Sequence, residues 1–299
     1  MDLAGRDLVA IGDLADDELE ALLDTARSFQ DDPLGARGRL DGRIVCTAFF
    51  EPSTRTRLSF ESATHRLGGA VIGFSDAGAT STKKGETLED TIRVLAGYAD
   101  LVVVRSPQAG AVRRAAGIVD VPVVNAGDGA GEHPTQTLVD LFTMQRHFGS
   151  LRGRRVALVG DLKYGRTVHS LVPALERFDA VPVAVPAPGL GLPDGLGEGV
   201  PTTDLESAAA TCDVLYVTRV QQERFHDAMA YEAARDAFRV DAELLERMSS
   251  KAIVMHPLPR VGEVAADVDP LPSAKYFEQA RNGVPVRMAI LAHLLGEAP

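Results

Sequence analysis

The stretch Glu51-Pro52-Ser53-Thr54-Arg55-Thr56-Arg57 gathers hydroxyls and guanidiniums between an apolar strand and the start of a helix. A helix N-terminus presents unpaired backbone N–H groups and a partial positive charge, so it suits an anion. Hydroxyls at the cap and arginines in the first turn add donors that converge on phosphate oxygens. Arginine is otherwise unfavourable there, because the helix dipole prefers acids. An anionic ligand is the chemistry this pattern implies, although an N-cap followed by solvated arginines would also produce it in isolation.

Similar residue types recur at other strand ends: Arg105, His133-Pro134-Thr135-Gln136, Arg166, Arg219-Val220-Gln221 and His256-Pro257-Leu258-Pro259-Arg260. Ligands of open parallel sheets bind beyond the carboxyl ends of the strands. The clusters lie in both halves of the chain, which predicts a site in the cleft between two domains. Arginines dominate them, which predicts substrates carrying several negative charges.

The elements that must position these groups can be read from periodicity. Ile44–Phe50, Ala70–Phe74, Leu101–Val104 and Val121–Val124 are expected strands of a first unit, with Arg105 just past the third. Helices are expected around Leu19–Ala26, from Ser53 to Gly68-Gly69, over Leu88–Tyr98, and from Pro134 to about Phe148. Gly149–Gly153 reads as a boundary. Strands Arg155–Gly160, Val181–Val185, Val214–Thr218 and Ala252–Met255 follow, with Pro186–Pro201 as a surface loop and Val284–Leu295 as a closing helix. The expected class is α/β, with two doubly wound parallel-sheet domains.

Composition bounds the function. The 299 residues have room for about two domains, and the net charge of −11 argues against nucleic acid as the partner. No apolar run approaches the ~20 residues of a membrane span, and Met1–Arg6 lacks the layout of a signal peptide. Cys46 and Cys212 sit in apolar strand-like surroundings, as buried thiols of a reducing cytoplasm would. A disulfide or metal site is not expected.

Gly160-Asp161-Leu162-Lys163-Tyr164-Gly165-Arg166-Thr167 matches a nucleotide-phosphate loop except for Arg166 in place of lysine. An NTPase would also need a strand ending in an acid to hold Mg²⁺. None is evident, and the loop lacks internal glycines, so this reading is set aside.

Ser53-Thr54-Arg55-Thr56-Arg57, Lys84-Gly85-Glu86, His133-Pro134-Thr135-Gln136 and His256-Pro257-Leu258-Pro259-Arg260, in that order, resemble the signature motifs of the aspartate/ornithine carbamoyltransferase family. The resemblance covers nearly the whole chain. Thr218-Arg219-Val220-Gln221 and Gly160–Arg166 resemble the aspartate branch. It implies a carbamoyl-phosphate-binding domain over residues 1–133, completed by a C-terminal helix over 284–299, and an aspartate-binding domain over 134–283. It also implies transfer of a carbamoyl group from carbamoyl phosphate to the α-amine of L-aspartate in pyrimidine synthesis, with no cofactor or metal. By the same resemblance Ser53, Thr54, Arg55 and Thr56 cradle the phosphate. Arg105 and His133 hold the phosphate and the carbonyl oxygen. Gln136 holds the carbamoyl NH₂, with the Leu258 carbonyl helping. Arg166, Arg219 and Gln221 bind the aspartate carboxylates. Ser81 and Lys84 reach the site, including its aspartate side, from a neighbouring subunit of a homotrimer. Regulatory chains or other pyrimidine enzymes as partners stay open.

Two departures stand out. Thr80 and Ser81 precede Lys84 by four and three residues, leaving open which hydroxyl reaches the ligand. Gly262 stands where the family has aspartate, which removes a potential partner of Arg260 and would loosen that turn. Arg113, Arg114, His147, His169 and His226 read as solvated or packing residues. The alternatives are a carbamoyltransferase for another amine such as ornithine, and a non-catalytic homologue. Arg219 and Gln221 argue against the first, and an intact set of Arg55, Arg105 and His133 against the second.

Overall fold

The computed structural model describes residues 3–76, 78, 85–222, 225 and 227–298. The chain divides into two compact units, residues 1–142 with 281–299, and residues 143–280.

In the first unit, β1 (Ile44–Phe49), β2 (Ala70–Phe74), β3 (Leu101–Ser106) and β4 (Val123–Asp128) form a parallel sheet in the order β2-β1-β3-β4. Strands β1, β3 and β4 are buried almost throughout, as a parallel sheet covered by helices requires. Cys46, Ala48, Val102, Val104 and Val123 pack with Ile92 of α3 (Leu88–Ala96) and with Val112 and Ala115 of α4 (Ala111–Ala116). Each such fully buried valine or isoleucine contributes about 1.5–3 kcal/mol. The remaining helices that begin in this unit are α1 (Asp16–Asp31), α2 (Thr54–Arg66) and α5 (Pro134–Phe148). Helix α2 buries Thr56, Phe60, Ala63 and Thr64 on one face.

The second unit repeats the plan. Strands β5 (Arg155–Gly160), β6 (Val181–Pro186), β7 (Val214–Val217) and β8 (Ile253–Met255) form a parallel sheet in the order β6-β5-β7-β8. Its helices are α6 (Arg166–Arg177), α7 (Leu205–Thr211), α8 (Ala228–Arg235) and α9 (Ala242–Leu245). Ala157, Val159, Leu215, Val217 and Val254 pack with Ala208 and Ala209. No helix among the described residues is long and apolar enough to cross a membrane.

Three expected elements differ. β4 begins after Pro122 and continues through buried Asn125 and Asp128, where the polar residues had suggested a loop. Asn125 can stay in the strand because its amide donates to the Val9 carbonyl at 2.8 Å and its oxygen accepts from the Gly127 N–H at 2.8 Å. β3 runs on through Arg105 instead of ending before it. The closing helix, α10 (Tyr276–Leu294), starts eight residues before the expected Val284 and passes through Pro285.

Candidate active site

Both sheets change direction at one point. In the first unit the chain leaves β1 for β2 on one side and comes back to β3 on the other, so the β1–β3 crevice is the switch point at which such folds bind ligands. Ser53, Thr54, Arg55 and Thr56 follow β1, and Arg105 is the register partner of Phe49. His133 and Gln136 open α5 just beyond β4, the neighbour of β3. The structure therefore places all seven first-unit candidates at the carboxyl ends of three adjacent strands.

Ser53 is the N-cap of α2, yet its side chain makes no cap hydrogen bond, and the first turn contains no acid. The donors of the turn are left for something else. Arg55 is exposed, but enough protein surrounds it that desolvation pulls its guanidinium below the ordinary pKa. No ion pair joins it to a described acid. A cation that is desolvated without an anion costs free energy until an anionic ligand arrives. Arg57, by contrast, lies 3.6 Å from the Glu61 carboxylate.

Arg105 has a different environment. Its side chain is largely buried, with one nitrogen 2.6 Å from the Glu51 carboxylate and another donating to the Ala126 carbonyl at 3.0 Å. Glu51 is a residue to which sequence reasoning gave no role. It holds the guanidinium in place. His133 is buried, with Nδ1 3.4 Å from the Thr135 hydroxyl. The Gln136 amide donates from Nε2 to Asp140 at 2.8 Å.

The second unit has its own switch point between β5 and β7. Arg166 begins α6 after β5, Arg219 and Gln221 follow β7, and Leu258 follows β8. Gly160, at φ 107°, lets the ends of β5 and β7 approach, since an added Cβ would meet the Thr218 carbonyl. Gln221 donates from Nε2 to the Tyr164 carbonyl at 3.1 Å, which ties the loop after β7 to the loop after β5.

That β5 loop is not a phosphate cradle. The Asp161 carboxylate sits inside it, accepts the Tyr164 N–H at 2.9 Å, and is bonded as well by the Lys163 and Gln221 N–H groups. Its own anion fills the turn that a nucleotide phosphate would need. Burial raises the Asp161 pKa, with those N–H groups acting in opposition.

The loop after β8 is braced by His256. Its Nδ1 accepts the Leu258 N–H at 2.8 Å, so Nε2 carries the proton and donates to Glu263 at 2.7 Å. Glu263 also accepts the Val261 N–H at 2.9 Å. Leu258 takes a left-handed φ of 57°. Burial alone would raise Glu263, but these bonds outweigh it and hold the carboxyl below its usual range. The expectation of a loosened turn at Gly262 is corrected here. Arg260 is gripped by Asp269, with Nη2 to Oδ2 at 2.6 Å, and by the Tyr276 hydroxyl at 3.1 Å. Gly262 itself sits at φ 120°, where a side chain would be strained.

Ser81 and Lys84, like Thr80 and His226, lie outside the described residues. The packing readings of the other basic residues have named partners. Arg113 bonds Asp13, Arg114 bonds Glu89, and His147 and His169 bond the Lys251 and Leu162 carbonyls.

Two parallel-sheet units with cationic switch points match a known family. Residues 6–146 match the aspartate/ornithine carbamoyltransferase carbamoyl-P binding domain, and residues 152–294 match the Asp/Orn binding domain. The chain belongs to the aspartate/ornithine carbamoyltransferase family. It is 50% identical to the aspartate carbamoyltransferase catalytic subunit of Thermococcus kodakarensis, over 99% of each chain. It superposes with a TM-score of 0.92 on Trypanosoma cruzi aspartate transcarbamoylase in complex with carbamoyl phosphate, at 40% identity over 98% of this chain and 97% of the other. The catalytic subunit of M. jannaschii aspartate transcarbamoylase gives 0.89 at 46% identity, over 97% and 98%.

Proposed function

We propose that this chain transfers the carbamoyl group of carbamoyl phosphate to the α-amine of L-aspartate, giving N-carbamoyl-L-aspartate and phosphate. The observation that carries the reading is the desolvated Arg55 in an acid-free first turn, on a chain whose relatives are aspartate carbamoyltransferases. Ser53, Thr54, Arg55, Thr56 and Arg105 take the phosphate. His133, with Thr56 and Arg105, donates to the carbamoyl oxygen. The neutral amine attacks the carbamoyl carbon, negative charge builds on that oxygen, and donors already in place stabilise it. Phosphate leaves with the electron pair of the C–O bond, charge-stabilised by Arg55, and takes up the proton that the amine loses. Gln136 and the Leu258 carbonyl accept hydrogen bonds from the carbamoyl NH₂. Arg166 and Arg219 grip the two carboxylates of aspartate. Gln221, whose Nε2 donates one hydrogen to the Tyr164 carbonyl, keeps its second N–H for an aspartate carboxylate.

Ser81 and Lys84 complete a neighbour's site in a homotrimer on this reading. Exposed Ile72, Val94 and Tyr98, on β2 and around α3 and so flanking these residues in sequence, support a covered face. Both cysteines are unpaired, which suits a reducing cytoplasm. An early step of pyrimidine synthesis is the corresponding role.

The test follows phosphate release from carbamoyl phosphate with a panel of amines. L-Aspartate should be the preferred acceptor. Preference for ornithine, or no acceptor-dependent release at all, would overturn the reading.

A further inference from the structure

Helix α10 carries an arginine in its apolar half that the proposed chemistry does not use. Arg287 is 4% exposed, in a run containing Val286, Met288, Ala289 and Ile290. Its guanidinium lies 5.0 Å from the centre of the Phe60 ring and donates to the Gly283 carbonyl at 3.0 Å. Gly283 makes the room, because an added Cβ there would collide with the guanidinium. Nε of Arg287 is buried with no hydrogen-bond partner. A buried cation this poorly solvated is not retained for packing alone, since a hydrophobic residue of similar size would serve at least as well.

The charge that reaches it is that of Asp140. Burial brings the Arg287 pKa down to about 10, which still leaves the group charged at neutral pH. Asp140 is itself fully buried in α5, one turn after Gln136, and accepts the Gln136 Nε2–H at 2.8 Å. A carboxylate oxygen that accepts this N–H engages the NH₂ end of the amide. It therefore fixes which end of the Gln136 amide points toward it and which end is left for a ligand. Held by Asp140, Gln136 offers its oxygen.

We propose that Asp140, supported by the field of Arg287, is a positioning residue that locks the Gln136 amide oxygen-outward and so selects an acyl phosphate bearing N–H over one bearing a methyl group. The inference rests on the reading that Gln136 meets the donor's carbamoyl NH₂. It adds how that contact becomes selective. An acyl phosphate with a methyl group leaves the Gln136 oxygen unpaired, and a site built to bond a polar group rejects the analogue that lacks it. Without Asp140 the amide can turn over, and its NH₂ end no longer distinguishes the two.

Asp140→Asn tests this, since the new amide can either donate or accept and the lock is released. Binding is measured by calorimetry, without acceptor, for carbamoyl phosphate, for acetyl phosphate (methyl in place of NH₂), and for inorganic phosphate. The expected result is about a tenfold fall in the preference for carbamoyl over acetyl phosphate, the size of one hydrogen bond, with inorganic phosphate unchanged within about twofold. In the Gln136→Met background, Asp140→Asn should cause no further loss of preference. Should Asp140→Asn fail to fold, Arg287→Gln weakens the same lock and should lower the preference in the same direction. An unchanged preference overturns the proposal, as does a parallel loss of all three ligands or an additive double variant. Failure of aspartate to act as acceptor would refute the proposed function while leaving this binding comparison to stand or fall by itself.

Discussion

Replacing Arg55 with alanine should separate catalysis from folding. The side chain stands in the first turn of α2, where a cation opposes the helix dipole by about 0.3–1 kcal/mol. It makes no ion pair with a described acid, and desolvation already disfavours its charge. Removing it therefore takes nothing stabilising from the ligand-free fold and relieves a strain of up to about 1 kcal/mol. For units of roughly this size, 1 kcal/mol corresponds to about 2–4 °C in Tm, so the melting temperature of Arg55→Ala should stay level or rise by no more than that. Turnover should behave oppositely. Losing one preorganised donor to the developing charge costs on the order of 10²–10³ in kcat. Phosphate release at saturating substrates and a thermal melt, both on the same preparation, are the two measurements. A variant that kept a third of wild-type kcat would refute the catalytic placement. A Tm lowered by several degrees would show that Arg55 is a structural residue with a partner, which no described acid supplies.

Arg219→Ala should raise the KM for aspartate strongly, by roughly 1.5–3 kcal/mol or more, as loss of a charge-assisted partner implies. Carbamoyl phosphate binding measured without aspartate should barely change, and the reverse pattern would move Arg219 to the phosphate side. If Ser81 and Lys84 act across an interface, Lys84→Ala and Arg55→Ala chains, each inactive alone, should recover part of their activity when mixed and reassembled. Verified mixed oligomers with no recovery count against a shared site. Glu263 has a depressed pKa in the folded state, so its bonds stabilise the fold above the unfolded carboxyl pKa of about 4.3 and that stability is lost as pH falls through the folded value. Glu263→Gln should therefore make the loss of stability below about pH 4 shallower, and an unaltered acid-unfolding curve would count against the brace. Burial pushes the Cys46 thiol up to about 12, so native protein at pH 8 should resist iodoacetamide at that position until urea unfolds it. Labelling at the unfolded rate would contradict that burial.

Legibility in the sequence followed the range of the interactions. Val-rich runs and polar strand ends are local signals, and they located β2 and β5 to the residue and the first-turn cluster of α2 as a candidate anion site. β4 was read too short because Asn125 and Asp128, polar by type, are satisfied by chain distant from them, Asn125 by Val9 and Asp128 by the Gly110 N–H. The start of α10 was hidden behind Pro285, which ordinarily marks a first turn. Most residues that steer the candidate site were harder still. The field of Arg287 on Asp140 joins positions 147 apart in the chain, and no spacing rule reaches that far. A lone arginine inside an apolar helix was the available signal. Glu51 and Asp161 stood within the quoted motifs, yet their contacts with Arg105 and with the β5 loop needed coordinates.

The carboxylate folded into the loop after β5 has a consequence for traffic. Carbamoyl phosphate, product phosphate and aspartate are all anions, and a protein that attracts anions with arginines risks seating the wrong one in each place. With Asp161 occupying the turn between β5 and α6, a phosphate finds backbone donors there already taken and a negative charge in its way. A carboxylate, which can be gripped from the side by a planar guanidinium, has no need of that turn. That turn is thereby closed to released phosphate, which cannot lodge there to block the next aspartate.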